Sequence, residues 1–290
     1  MHLSIKISRL SNLLFFVSKI DKANLVKSDL RKYLSDEKLN LSFYGKNENK
    51  IWRQIEKIIG KENAKKIKKS IVPLDQVFAP HWRKASKHLL LWKQYFQNNQ
   101  FLFQQVILEL KKLIGVKHFT ISKISIYLVS DLVSNDKEIN AWFSWAPKES
   151  FIVVEIPFGL KTPNNFFSLA VLTHEFFHLM LRENKNLFLK ITNIARENNK
   201  LFTKLAEGMP NRIFLEELLI SSFIPEGYLN EKYFGAKVVS CTSKPKDLLE
   251  WRKFVAFKLY PIAKKYTNGV RQIDENYLKD LIEVIKQNIK

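Results

Sequence analysis

The spacing of apolar residues changes along this chain, and the change constrains the fold more than any other sequence feature. Before Gly115, apolar residues recur at helical spacing, most clearly over 85–114, and Gly115 itself predicts a C-terminal cap. After Gly115 the pattern is that of β-strands, in the segments 119–129, 141–145 and 151–157. Helical spacing then returns and continues to the end. The sequence therefore predicts an α+β fold.

The same patterns predict further elements and two regions. Residues 3–7 alternate like a short strand, and Asn98-Asn99 predicts a break inside the helical segment before Gly115. The other predicted helices are 9–20, 25–35, 51–69, about 162–182 and 211–224. We expect a helical N-terminal region, 1–115, that forms a separate domain or one wall of a cleft. The second region, 116–290, would contain a small, mostly antiparallel sheet followed by helices.

The chain is strongly basic. Its 290 residues include 48 Lys and Arg against 28 Asp and Glu, a net charge of +20, and such a charge is typical of proteins that bind nucleic acid or anionic surfaces. Lys far outnumbers Arg, however, and the densest cluster, Lys61–Lys69, would spread around a helix. This distribution favours a solvated face. Binding of nucleic acid or of an anionic membrane surface remains an alternative hypothesis.

Composition excludes several classes of protein. An apolar content of 46% is enough to form a core, so intrinsic disorder is excluded. The one cysteine, Cys241, excludes a disulfide framework and a Cys-rich zinc cluster, and predicts an inert thiol. No apolar run approaches the roughly 18 residues of a membrane-spanning helix, and residues 13–17 are too short for a signal-peptide core. We therefore expect a soluble, cytoplasmic protein.

The clearest chemical signal is the segment His174-Glu175-Phe176-Phe177-His178, which lies in an apolar stretch predicted to be helical. Residues four apart share one helix face, with Cβ atoms about 6 Å apart, so both imidazoles can reach one zinc ion. Glu175 lies about 100° further round the helix, where it can act as a general base on water. The alternative is a buried helix whose histidines only hydrogen-bond to neighbours, and it must supply partners for three polar groups.

A catalytic zinc ion usually has three protein ligands. The residues after His178 lack the further histidine of a His-x-x-Gly-x-x-His continuation. Predicted helix 211–224 carries Glu216 and Glu217 amid apolar residues, where a carboxylate pair is costly unless a metal ion or another cation compensates it. This helix is therefore the better source of a third ligand.

At these residues the chain resembles the gluzincin zinc metallopeptidases, in which a His-Glu-x-x-His helix supplies two ligands and a later helix supplies a glutamate. The resemblance covers about 120–225 and is sharp only at the motif. It implies a zincin-like fold, one Zn²⁺ ion per chain held by His174 and His178, and Glu175 as the catalytic base. It also implies that a peptide substrate lies along strand 151–157 as an added antiparallel strand.

The resemblance leaves three candidates for the third ligand. Glu217 is preferred because the small Ser221 lies one helical turn on, as is usual beside the metal ion in these folds. Glu216 has the bulkier Ile220 at the corresponding place. Glu207 is the third candidate, since several gluzincin branches place this ligand in a Glu-Gly sequence. The family's Glu-x-x-x-Asp pattern is missing, so the group that orients the histidines stays open.

Two tyrosines, Tyr228 and Tyr233, could donate a hydrogen bond to a tetrahedral oxyanion, although packing roles are favoured for both. Surface or packing roles are also favoured for His81, His88, Trp142 and Trp145. Taken together, the sequence predicts a zinc-dependent hydrolase, most simply a metallopeptidase acting on peptide or protein substrates. The competing hypothesis is a non-enzymatic zincin scaffold that binds anionic partners through its basic surface.

Overall fold

The computed structural model describes residues 2–22, 37–45, 47–119, 123–133, 138–144, 150–163, 167–241 and 243–288. The predicted helix 25–35 and Trp145 lie outside these residues. The chain forms two compact units. The first unit comprises Met1–Asn98 and Lys123–Pro163, and the second comprises Asn99–Ser122 and Asn164–Lys290. The chain therefore passes from one unit to the other three times, after residues 98, 122 and 163, whereas the sequence predicts a single boundary at 115.

Within the described residues, the first unit contains a four-stranded sheet in the order β1-β2-β4-β3. The strands are β1, His2–Lys6; β2, Lys123–Asp131; β3, Asn140–Ser144; and β4, Phe151–Pro157. The β1–β2 and β2–β4 pairs are parallel, and only the β3–β4 pair is antiparallel. The α+β prediction is confirmed, but the prediction of a mostly antiparallel sheet is wrong. The N-terminal strand joins β2 after a long crossover, and alternation along one strand carries no information about such a partner.

Strand β4 lies inside the sheet. Its segment 151–155 pairs with β2 on one side and with β3 on the other, so that Val153 lies opposite both Tyr127 and Trp142. The main-chain groups on both edges of this segment are therefore engaged within the sheet and cannot pair with a further strand. The expectation that a peptide adds along 151–157 is therefore wrong. The apolar residues of a strand predict the strand, but they do not show whether it lies at the edge of a sheet.

The helices described in the first unit are α1, Arg9–Lys22; α2, Glu37–Ser42; α3, Glu48–Ile59; and α4, Lys61–Asn98. The predicted helix 51–69 is divided at Gly60, whose φ of 82° lies in the left-handed region that ends a helix. A core of buried side chains, including Leu14, Ile55 and Phe78, joins these helices to the sheet, and Trp142 packs against it.

The described part of the second unit is helical. Its helices are α5, Gln100–Ile114; α6, Phe167–Glu183; α7, Lys185–Glu197; α8, Asn199–Leu205; α9, Asn211–Ser221; α10, Tyr228–Phe234; α11, Leu248–Asn268; and α12, Glu275–Gln287. The predicted break before α5 and its left-handed cap at Gly115 are confirmed. Helix α6 packs against α5, α7, α9 and α10. Among the described residues, no helix combines the length and the apolar character needed to cross a membrane.

Candidate metal centre

Helix α6 carries the His-Glu-x-x-His motif through the interior of the second unit. Every residue from Leu172 to Leu181 is buried, and His174, Glu175 and His178 are only 4%, 8% and 3% exposed. Polar groups at this depth destabilise a fold unless they find partners. Helix α9 and the segment that follows it supply partners for the two histidines.

One nitrogen of each histidine and one carboxylate converge on the same space. Nε2 of His174 lies 3.1 Å from Nε2 of His178 and 3.1 Å from Oε2 of Glu217. Nε2 of His178 lies 3.0 Å from Oε1 of Glu217. A tetrahedral zinc ion with bonds of roughly 2.0–2.1 Å has ligand atoms about 3.3–3.4 Å apart, so these separations are close to those of a metal site. The three residues form a group that can hold a metal ion.

The structure separates the three glutamates considered as the third ligand. Glu217 belongs to the His174–His178–Glu217 group, which we call the triad. Glu216, about 100° away on α9, places Oε1 2.7 Å from Nδ1 of His178, on the other side of the ring. Glu207 is exposed in the turn between α8 and α9, where its φ is 47°, and it is not part of the group. Among these candidates, only Glu217 is placed to share a metal ion with both histidines.

The other nitrogen of each histidine has its own acceptor. Nδ1 of His174 donates to the main-chain oxygen of Ile224 at 3.1 Å, and Nδ1 of His178 donates to Glu216 at 2.7 Å. A carbonyl oxygen and a carboxylate only accept, so both Nδ1 atoms carry a proton. In a neutral imidazole this leaves the lone pair on Nε2, the atom that faces the other two residues of the triad.

Glu216 is embedded in a network of cations. Its side chain is 1% exposed, and its Oε2 atom accepts from Arg182 at 3.0 Å and from Arg212 at 2.5 Å. The Arg182 guanidinium also lies 2.8 Å from Oε1. Both guanidinium groups lie over the ring of Phe188, 4.5 and 5.0 Å from its centroid. Burial by itself raises the pKa of Glu216, but the hydrogen bond and charge of His178 and the charge of Arg182 outweigh it and lower that pKa. The buried carboxylate is therefore ionised.

A third arginine approaches the triad from α11. Nε of Arg252 donates to Oγ of Ser221 at 2.8 Å, one amino group lies 2.9 Å from Glu226, and the other lies 3.8 Å from Oε2 of Glu217. Sequence reasoning missed Arg252, since it is 35 positions after Glu217 (252 − 217) and belongs to no recognisable spacing. Only the packing of α9 against α11 brings it to the site.

His178 and Glu217 change each other's pKa. Burial lowers the pKa of His178, but the charge of Glu217, hydrogen bonds to Glu216 and Glu217, and the charge of Glu175 outweigh it and raise that pKa to about 10. Burial raises the pKa of Glu217, but the charges of His174 and His178 outweigh it and hold the pKa well below its usual value. Without a metal ion, a proton on His178 thus compensates the charge of Glu217.

Glu175 lies on the same helix between the two histidines. Burial raises the pKa of its carboxyl group, while the nearby charges of His174 and His178 act in the opposite direction. Among the described residues, none forms a hydrogen bond with the Glu175 carboxylate. A buried carboxylate with a raised pKa beside a possible metal ion is suited to accept a proton.

The remaining residues singled out by the sequence have other surroundings. The hydroxyl of Tyr228 donates to Asn268 at 3.1 Å, and that of Tyr233 donates to Glu109 at 2.8 Å. Neither contact involves the triad, which agrees with the packing roles favoured for both tyrosines. In the first unit His81 is exposed, whereas His88 is buried beside Trp92 and the carbonyl of Leu160. Cys241 is partly exposed.

Comparison with known proteins adds no assignment. No protein-family model, no curated protein and no solved structure matches the chain. The chemistry of the residues around the triad is therefore the basis on which a function can be argued.

Proposed function

We propose that this chain is a zinc-dependent hydrolase whose substrates are peptides or proteins. One observation carries the proposal: in a buried site the Nε2 atoms of His174 and His178 lie 3.1 Å apart, and each lies 3.0–3.1 Å from an oxygen of the Glu217 carboxylate. Glu175, on the same helix, supplies a carboxylate beside them. A gluzincin-like peptidase requires this combination of two histidines, a glutamate from a later helix and a general base.

The donor set suits zinc. Two imidazole nitrogens and one carboxylate oxygen are a ligand set of catalytic zinc sites, and three protein ligands leave a fourth position open. A zinc ion at such a site acts as a Lewis acid and lowers the pKa of bound water to about 7. The same donors suit other divalent transition metals, so the choice of zinc rests on the likeness of the ligand set to catalytic zinc sites.

The charges around the triad support a bound cation. When all are ionised, three guanidinium groups and four carboxylates give 3 − 4 = −1 before the histidines are counted. The groups are Arg182, Arg212, Arg252, Glu175, Glu216, Glu217 and Glu226. Because charges at this depth are costly unless compensated, the surplus carboxylate favours either a protonated histidine or a metal cation.

The protein's own part in the reaction is proton transfer and positioning. The Glu175 carboxylate takes a proton from the attacking water and returns it to the leaving amine of the peptide. Its raised pKa brings it closer to neutral pH, where a general base is most effective. The contacts of His174 with Ile224 and of His178 with Glu216 keep both rings oriented while this occurs.

The test is metal content and cleavage measured on the same preparations. We expect wild-type protein to retain one zinc ion per chain by elemental analysis and to cleave members of a mixed peptide library. A chelator should stop cleavage, and added zinc should restore it. His174→Ala should lose both properties, whereas His118→Ala, a change at an exposed histidine of the same unit, should lose neither. A wild-type protein that stays free of zinc after supplementation contradicts the proposal.

A further inference from the structure

We infer that Glu216 is a positioning residue for the metal ligand His178, and that Arg182 and Arg212 hold Glu216 in this role. The inference rests on the proposed metal site. Glu216 lies on the Nδ1 side of the imidazole, at 2.7 Å, whereas Glu217 lies on the Nε2 side, at 3.0 Å. Glu216 therefore acts on the metal site through His178.

The hydrogen bond between His178 and Glu216 has one possible direction. An ionised carboxylate can only accept, so the contact with Glu216 requires the proton to reside on Nδ1 of His178. The neutral ring then has its lone pair on Nε2, which faces His174 and Glu217. Glu216 thus selects the tautomer in which His178 can bind a metal ion, and it fixes the rotation of the ring.

Glu216 is itself held in place by two cations. Its carboxylate accepts from Arg182 at 3.0 Å and from Arg212 at 2.5 Å, and its side chain is 1% exposed. The ring of Phe188 lies beneath both guanidinium groups. Charge-assisted hydrogen bonds from two cations restrain the carboxylate more strongly than neutral donors would. The acceptor of His178 is therefore fixed in position.

The network of His178, Arg182, Arg212 and Glu216 is built from two helices. Arg182 lies four residues after His178 on α6, and Arg212 lies four residues before Glu216 on α9, so each pair shares one helix face. The hydrogen bonds from Arg182 and His178 to Glu216 cross between the two helices. The network thus joins α6, which supplies both histidines, to α9, which supplies Glu217. It thereby fixes the positions of the three metal ligands relative to one another.

Glu216→Gln tests the inference, because it preserves the size of the side chain and removes the charge. We expect its zinc affinity, measured by competition with a chromophoric chelator, to fall by about 10–100-fold. The Nδ1 proton of His178 in the NMR spectrum of the zinc-loaded protein should move upfield, since its charged acceptor is lost. Glu109→Gln is the matched control: it changes a mostly buried carboxylate of the same unit that accepts from Tyr233 and pairs with Lys232. Its zinc affinity should equal that of the wild type.

The outcomes separate this inference from the proposed function. A folded Glu216→Gln variant with wild-type zinc affinity and an unmoved His178 signal overturns the inference and leaves the metal site standing. Failure of the wild type to bind zinc overturns the proposed function instead. If circular dichroism shows that Glu216→Gln does not fold, Arg212→Met takes its place. That variant keeps the contact between Glu216 and His178 but removes one cation, so we expect a few-fold loss of affinity, and no loss overturns the inference.

Discussion

The neighbouring residues Glu216 and Glu217 contact opposite nitrogens of one imidazole ring, that of His178. Glu217 lies 3.0 Å from Nε2 and shares the triad, while Glu216 lies 2.7 Å from Nδ1 and is bound by two arginines. Two adjacent carboxylates of α9 therefore lie on different sides of His178, and we propose that Glu217 binds the metal ion while Glu216 orients the ring.

Glu217→Gln should lose zinc, because it removes the charged donor of the triad. We expect its affinity to fall by more than the roughly 10–100-fold expected when a group behind a ligand is changed. Glu207→Gln is the matched control, since Glu207 is the exposed glutamate that the sequence also offers as a ligand. Elemental analysis of both variants after dialysis is the measurement. Equal zinc content in the two would show that the third ligand is misassigned.

Glu175→Gln should separate metal binding from catalysis. Glutamine keeps the shape of the side chain but cannot take a proton, so kcat should fall by about 10²–10⁴-fold while zinc content stays at the wild-type value. Glu197→Gln, at an exposed position on α7, provides the control and should retain full activity. Steady-state cleavage of the best library peptide measures both. Undiminished turnover in Glu175→Gln would remove this residue from the mechanism.

Zinc binding should release a proton. The pKa of His178 is raised to about 10 in the metal-free protein because the attraction of Glu217, Glu216 and Glu175 exceeds the effect of burial. At pH 7 the ring therefore carries a proton that zinc must displace, and affinity should rise with pH by up to about tenfold per unit below pH 10. Calorimetric titrations in phosphate and in Tris should differ by the ionisation heats of the buffers. Identical heats would mean that no proton leaves.

The raised pKa of His178 should also make the stability of the metal-free protein depend on pH. A group whose pKa is higher in the folded than in the unfolded chain stabilises the fold fully below its unfolded value, near 6.5 for His178. This contribution is lost as pH rises through about 10. We expect the melting temperature of metal-free wild type to decline over this interval more steeply than that of His178→Phe. Parallel declines in the two proteins would argue against a protonated His178.

Phe176, inside the motif, should matter for stability rather than for chemistry. Its side chain is fully buried and packs edge-on against Phe103, with ring centroids 5.5 Å apart. Phe176→Ala should lower the free energy of unfolding by about 3–5 kcal/mol. Phe101→Ala, where 72% of the residue is exposed, should change it by less than about 0.5 kcal/mol. Denaturant titrations compare the two, and similar values would place Phe176 outside a well-packed core.

The helices and the histidine pair could be predicted because they depend on local pattern. Residues four apart are neighbours on any α-helix, so the pairing of His174 and His178 required no knowledge of the rest of the chain. Burial of α6 followed from apolar residues on all its faces. The break at Asn98-Asn99 and the cap at Gly115 likewise followed from the residue types at those positions.

The sheet shows where local pattern ceases to be informative. The sequence predicted a strand at 151–157, and the structure has one, Phe151–Pro157. The sequence pattern did not indicate that this strand lies between two others or that most pairs are parallel, because strand order depends on contacts between distant segments. The expectation that a peptide binds along β4 was wrong for this reason.

By itself, the sequence determined that two histidines share a face of one buried helix and that a carboxylate on the next residue accompanies them. The tertiary structure alone decided which glutamate completes the triad, which one supports His178, and that Arg252 stands nearby. The physical reason is the rotation of α9 about its axis when it packs on α6. Successive side chains point about 100° apart, so packing contacts far from the motif determine whether Glu216 or Glu217 faces the Nε2 atoms.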